Sequence, residues 1–347
     1  MKKKMYVCYA SSDFYSRETG ISLLGFLDNN INYEPDTVII LDYGILDHNK
    51  EKLNGIAAKY GKKVDYVDAK SIMEKVQKDL HLESFRGSLA TYSRAFIDKL
   101  MPDYVERLLY IDSDTVVVGN AGSLSDMDMG DACMAAVVGT GFYTGIGQHI
   151  AELQLLTKNK CYYTCGVVLF DIENWKKINT YDMMAKTLAK KTDYPYADQT
   201  LINNTIPEKY LMKLPIEYNY TTHVYSKAIE VKMAMRGGWY TEEEVRYAIQ
   251  HPVVIHYPGN PINRPWYDVC YSRRKDYYLK YRKLSPWVDD PFFSYDEYYK
   301  KNVTSLAGKF NNWVHKQEMI ASTESAINRV YAIRNCVWKV KKLTEKL

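Results

Sequence analysis

No run in this chain approaches the roughly 18 consecutive apolar residues that a bilayer-crossing helix needs. The opening "MKKKMYVCYASSD" has a basic head, but its apolar stretch is too short for a secretory signal. Cysteine is sparse and scattered: the six at positions 8, 133, 161, 165, 270 and 336 form no C-x-x-C pair. Cys161 and Cys165 lack the second pair that a zinc site would require. A chain of the reducing cytoplasm is the simplest reading. There is no G-x-G-x-x-G and no phosphate-loop motif, so neither common nucleotide fingerprint is present. Nor is there a strong charge imbalance: 46 basic against 42 acidic residues leave +4, too little to argue for a nucleic-acid partner. Internal repeats and low-complexity tracts are absent.

What remains is an ordinary globular composition, 46% hydrophobic and 25% charged over 347 residues. That is enough for one large domain with an appendage. The 32 tyrosines suit sugar stacking, although most tyrosines simply pack. Strand-like and helix-like segments alternate through the first part of the chain. "KMYVCYAS", "DTVIILD" and "KKVDYVDA" read as strands, and "RETGISLLGFLDNN", "KEKLNGIAAKYG" and "SLATYSRAFIDKL" as helices. This alternation predicts an α/β domain with a mixed, mostly parallel central sheet, in which ligands gather beyond the carboxyl ends of the strands. Near Tyr267 the pattern changes to Tyr-, Lys- and Arg-rich sequence that ends in a helical run. The chain therefore divides into a domain over residues 1–268 and a mostly helical extension over 269–347.

The segment "ERLLYIDSDTVVV" poses a physical problem. An apolar strand runs into two carboxylates, Asp112 and Asp114, and unpaired buried charge is costly. In an extended segment residues i and i+2 point the same way, and two adjacent carboxylates repel unless a proton or a cation is shared. A hard divalent cation answers this most economically. A second D-x-D, Asp126-Met127-Asp128, lies in turn-rich sequence and reads as loop carboxylates. His256 ends another apolar strand, "HPVVIH". It is either a hydrogen-bonded structural residue or the third ligand, and an imidazole beside two carboxylates favours Mn2+ over Mg2+. A cation with open positions suits a diphosphate, with Arg94 and Arg264 as candidate basic partners or simply solvated charges. The glycine-rich "VGTGFYTGIG", Val138 to Gly147, reads as a surface turn or a loop over a ligand.

In order along residues 4 to 268 stand "YASSDFY", "VIILDYGI", "TYSRAFI", "RLLYIDSDTVV", "YYTCGVVLFDIENW", "YADQTLIN" and "VIHYPGNPINRPW". Together these resemble glycosyltransferase family 8, the retaining galactosyl- and glucosyltransferases that include bacterial lipooligosaccharide galactosyltransferases and glycogenin. The resemblance implies a Rossmann-like GT-A fold that moves galactose or glucose from a UDP-sugar to a capsular, cell-wall or lipooligosaccharide glycan. It implies Asp112, Asp114 and His256 as metal ligands, with Mn2+ first and Mg2+ second. Ala10, Ser11, Ser12, Asp13 and Tyr15 match the strand end that holds uracil and ribose. Ser113 lies within the D-x-D, and Thr164, Cys165 and Gly166 within the segment lining the sugar pocket. Arg94, Asp198 and Gln199 match residues at the donor sugar and the reacting face, and Gly259 and Arg264 the segment that closes on the phosphates.

Some positions depart from the family pattern. Ser12 and Phe14 replace a common Asp and Asn, Thr164 replaces an Asn, and Arg264 replaces a Lys. Gln199 stands where a carboxylate nucleophile would be wanted, and an amide is a poor nucleophile. A front-face reaction, in which the leaving diphosphate helps deprotonate the acceptor, fits better. Two other classes compete. "YIDSDTV" fits a haloacid-dehalogenase-type phosphatase with Asp112 as nucleophile, but it is not on the first strand and "GDACMAA" lacks the final acid of the later motif. A non-catalytic sugar-nucleotide sensor would keep the same pocket. In the tail, Ile327, Val330, Tyr331, Val337, Trp338 and Val340 recur among Arg329, Arg334, Lys339, Lys341 and Lys342. That pattern suits either an interfacial helix on an anionic membrane or a helix packed on the domain.

Overall fold

The computed structural model describes residues 3–85, 87–139, 161–190, 196–221, 230–235 and 238–344, and side chains, residue 233 apart, through 337. Most of the glycine-rich segment after Val138 therefore lies outside the described residues. So do the side chains of the last apolar and basic positions of the tail.

Among the described residues, ten strands form two sheets. They are β1 (Met5–Ser11), β2 (Thr37–Asp42), β3 (Lys63–Val67), β4 (Arg107–Ile111), β5 (Thr115–Val117), β6 (Met134–Val138), β7 (Tyr163–Asp171), β8 (Leu211–Lys213), β9 (Tyr220–Thr221) and β10 (Val254–His256). The large sheet runs β3-β2-β1-β4-β7-β6-β8 and the small one β5-β10-β9. In the large sheet β7 alone is reversed, antiparallel to both β4 and β6, while every other pairing is parallel. The expected mixed, mostly parallel sheet is what forms. Its central strands read as unbroken apolar runs because helices cover both faces; Val38 through Leu41 and Leu108, Leu109 and Ile111 are completely buried.

The puzzle of "RLLYIDSDTVV" resolves here. It is two strands in two sheets: β4 in the large sheet, β5 in the small one, with Asp112-Ser113-Asp114 at the corner between them. The acids are thus in a turn, not in extended backbone. Ser113 faces the other way, donating from Oγ to the Ala10 carbonyl at 2.8 Å and accepting from Thr19 Oγ1 at 2.8 Å.

Local expectations were met unevenly. The helices Ser16–Asn29 and Asp47–Lys59 form where the apolar spacing places them. "SLATYSRAFIDKL" gives instead a 3-10 turn, Ala90–Arg94, and a single helical turn, Ile97–Leu100. The Arg94 side chain is drawn into the site there, which short, tight turns permit. The helix Ala69–Leu80, capped by the Asp68 side chain, had no counterpart in the sequence reading.

The main core continues past residue 268. Tyr278, Tyr281 and Trp287 are buried in it, and the Trp287 indole donates to Asn49 Oδ1 at 3.1 Å. Phe293 stacks on Phe14 with centroids 5.1 Å apart and carries the Arg17 guanidinium on its ring. A second, small apolar cluster unites Val314, Ala321, Ile327, Val330 and Tyr331 of the helices Leu306–Ile320 and Glu324–Thr344 and the turn between them. Three of the tail's apolar side chains therefore pack within the protein. Among the described residues no helix is long and apolar enough to cross a membrane.

Candidate active site

Beyond the carboxyl end of β4 lies a cavity of about 420 Å³. Arg94, Asp112, Asp114, Thr164, Gly166, Asp198, Gln199, His256 and Gly259 all line it. The reversed direction of β7 matters, because it brings the start of that strand to the edge where β4 ends, with Ile111 paired to Val167. Asp112 N–H donates to the Gly166 carbonyl at 2.8 Å, which fixes the corner.

His256 ends β10, which pairs with β5 immediately after the corner, so Thr115 lies opposite His256. Its Nε2 stands 3.0 Å from Asp114 Oδ1 and 4.0 Å from Asp112 Oδ2. On its other side Nδ1 meets Asn219 Oδ1 at 3.0 Å. An amide oxygen only accepts, so Nδ1 carries a proton; Nε2, facing the Asp114 carboxylate, donates to it when protonated and would turn its lone pair to a cation that took that proton's place. Asn219 is itself held: its Nδ2 donates to Thr164 Oγ1 at 3.0 Å, and Thr164 donates to the Val137 carbonyl at 2.8 Å. Gly166 gives the ring its room, since a Cβ there would stand 2.3 Å from His256 Cε1. Asn219 was missed in the sequence; nothing local marks an asparagine in the 3-10 turn Ile216–Asn219, because its partners are distant in the chain.

Ligand atoms of Asp112, Asp114 and His256 lie within 4.8 Å of one another, the one such group found among the described residues. Two carboxylate oxygens and an oriented imidazole, open to a cavity, fit a divalent cation with positions left for oxygen ligands. Electrostatics agree. Burial pushes the Asp114 carboxyl up, but the positive charge and hydrogen bond of His256, with Arg264 and Arg94, outweigh it and hold the group at about 2. Burial leaves Asp112 raised despite Arg94, with Asp114 adding repulsion. His256 is lowered by burial but raised on balance by Asp114.

Arg94 is a bridge. Its Nε and Nη2 donate to the two oxygens of Asp198 at 2.6 and 2.9 Å, and Nη1 donates to Asp112 at 2.8 Å and to the Cys165 carbonyl at 2.7 Å. Asp198 is 1% exposed, and burial pushes its carboxyl up to about 6 against the pull of Arg94. Gln199 turns its Oε1 to the Cys165 N–H at 3.0 Å. Both residues begin the helix Ala197–Thr205, which Asn203 clamps to β7 through the Tyr163 N–H and carbonyl. Ala197 has φ of 47°, a left-handed conformation costly without glycine, so the entry to this helix is strained where it presents the two side chains.

The remaining candidates, Ala10, Ser11, Ser12, Asp13, Tyr15, Ser113, Cys165 and Arg264, are not part of the cavity lining, although Cys165 and Arg264 adjoin residues that are. Asp13 Oδ1 accepts from the Leu46 N–H and Asn49 Nδ2, both at 2.9 Å, tying the end of β1 to the loop after β2. Arg264 reaches Tyr15 Oη at 3.4 Å and lies 3.8 Å from Asp114 Oδ2, so it joins this rim to the acidic corner. Asp128 accepts from the Gly130 N–H at 3.0 Å, which is the loop role read for the second D-x-D.

The mixed, mostly parallel sheet with its acidic corner is an architecture of the GT-A type. The sequence model of Glycosyl transferase family 8 matches residues 6–270, and the chain belongs to that family. General stress protein A of Bacillus subtilis (strain 168) is 23% identical over 82% of this chain and 94% of its own length. Lipopolysaccharide 1,2-glucosyltransferase of Escherichia coli (strain K12) is 25% identical over 82% of this chain and 79% of its own. In fold, the galactosyltransferase LgtC, solved with donor and acceptor sugar analogs, aligns with a TM-score of 0.64. That alignment has 19% identity and covers 82% of this chain and 99% of LgtC. The chain is thus a glycosyltransferase of a hexosyltransferase family, not a haloacid-dehalogenase-type phosphatase.

Proposed function

We propose that this enzyme transfers galactose or glucose, with retention, from a UDP-sugar to a hydroxyl of a bacterial surface glycan. Asp112, Asp114 and His256 would hold the divalent cation, Mn2+ in preference to Mg2+ because of the imidazole. The observation that carries the reading is the convergence of that triad, the Arg94–Asp198 bridge and Gln199 on one cavity. When bound, the cation supplies Lewis-acid neutralisation of diphosphate oxygens. The chain's own residues do the rest. Arg264, whose Nε has no hydrogen-bond partner among the described residues, offers a free N–H near Asp114 for a phosphate oxygen. Asp198 accepts from sugar hydroxyls while Arg94 keeps it in place. Gln199, held through Oε1 by the Cys165 N–H and through its side chain by Tyr162, presents its amide at the reacting face. With no carboxylate at that position, the acceptor proton passes to the departing diphosphate. Ser11 to Tyr15 would hold the nucleoside at the rim.

The six cysteines form no disulfide, which supports a reducing compartment. In our reading, contact with the membrane runs through the exposed Ile333 and Val337 and the lysine-rich end of the last helix. Flotation with vesicles containing anionic lipid tests that contact, and unchanged flotation after truncation at Ser322 removes it. The function itself is tested by UDP release from a panel of UDP-sugars with Mn2+. Metal-dependent release from UDP-galactose or UDP-glucose, lost in Asp114→Ala, supports it. UDP binding without release or transfer, under any sugar or acceptor tried, would instead leave a sensor.

A further inference from the structure

Two cavity-lining side chains, His315 and Met319, come from the helix Leu306–Ile320, well beyond the last family-matched residue, 270. This helix has two working faces. Val314 packs toward the terminal helix. Asn312, His315, Lys316 and Met319, spaced i, i+3, i+4 and i+7, share the opposite side. That side is latched to the domain. Asn260 Nδ2 donates to Asn312 Oδ1 at 3.0 Å, on the loop that also carries Gly259 and Arg264, and the Lys316 ammonium lies over the Tyr271 ring. Met319 is 7% exposed. The His315 ring is oriented by its own helix: Nδ1 meets Glu318 Oε2 at 3.0 Å, and the buried Glu318 faces Arg334 of the terminal helix at 3.7 Å. That bond takes the proton on Nδ1 and leaves Nε2 as the acceptor of a ring that lines the cavity.

We propose that this helix is the acceptor wall of the cavity, with His315 Nε2 accepting a hydrogen bond from an acceptor-sugar hydroxyl and Met319 packing on an apolar ring face. The inference rests on the transferase reading above and assigns acceptor choice to the extension. Donor and cation groups all come from the family-matched part, so a wall built from outside it meets the other substrate. A thioether beside an aligned imidazole acceptor suits a neutral sugar ring, apolar on one face and hydroxyl-bearing at its edge.

The test uses the full chain, radiolabelled UDP-galactose and UDP-glucose, Mn2+ and an immobilised panel of neutral oligosaccharides, with UDP affinity measured by calorimetry. In His315→Ala the KM for a labelled glycan should rise about five- to tenfold, the effect of one lost neutral hydrogen bond, while UDP affinity stays within twofold. His315→Gln, whose Oε1 still accepts, should recover most of the loss. Transfer by wild type with an unaltered glycan KM in His315→Ala overturns the inference alone. So does a fall in UDP affinity in step with transfer, which would make the helix part of the donor site. If wild type binds UDP but labels no glycan on the panel, the transferase reading falls and the inference with it.

Discussion

Gly166→Ala should cripple cation binding without replacing any ligand. The added Cβ would stand 2.3 Å from His256 Cε1 and 2.5 Å from Nδ1, where ordinary contact begins near 3.4 Å. The ring must therefore retreat by about 1 Å. It cannot do so freely, because Nδ1 is tied to Asn219 and Nε2 to Asp114, both at 3.0 Å. Moving the backbone instead would pull on the Gly166 carbonyl that holds the Asp112 N–H. Overpacking of this kind costs about 1–3 kcal/mol of stability, and each disturbed hydrogen bond about 1 kcal/mol. Displacing an oriented ligand lowers metal affinity by roughly 10- to 100-fold. Titration of Mn2+ into wild type and variant by calorimetry measures the affinity, and urea unfolding the stability. A variant that binds Mn2+ as tightly as wild type would refute the claim that this glycine exists to seat His256.

Other perturbations probe the same corner from different sides. Asn219→Ala leaves every proposed ligand in place but frees the His256 tautomer, and Mn2+ affinity should fall about tenfold by calorimetry. Arg94→Ala strands the buried Asp198 and the half-buried Asp112 and should cost about 3 kcal/mol in urea unfolding; Arg94→Lys keeps the charge but cannot bridge Asp198 and Asp112 together, so turnover should fall more than stability. The Asp198 carboxyl, raised to about 6 by burial, should set the acid limb of turnover there rather than near pH 4. Activity is then lost as pH falls through about 6. Stability runs oppositely: a carboxyl raised on folding favours the folded state most at low pH, and that contribution disappears as pH rises through about 6. A pH–rate profile with its acid limb near 4 would contradict the assignment.

Much of this was legible in the chain because the signals are local. β1, β2 and β4 announce themselves as apolar runs, and acids at a strand end stand out against them. The D-x-D and His256 were readable for that reason. Their meeting was not inferred for the right cause, since the alternation of an extended strand does not operate at the corner between β4 and β5. Asn219, Gly166 as a seat for the ring, and His315 were invisible because each acts across distant stretches of chain. Around Arg94 the expected helix gives way to a 3-10 turn, where the guanidinium reaches Asp198 and Asp112, partners that local propensity does not include. The nucleoside-binding candidates from Ser11 to Tyr15 came from the resemblance alone; in the structure Ser11 meets Thr19, Asp13 meets Leu46 and Asn49, and Tyr15 meets Arg264.

The most direct measurement is a calorimetric titration of UDP into the protein with and without Mn2+, for wild type and His256→Ala. The account predicts at least tenfold tighter UDP binding with Mn2+ in wild type and little or no gain in the variant. Equal UDP affinity with and without the cation in wild type would contradict the claim that the Asp112, Asp114 and His256 corner carries the diphosphate through a metal.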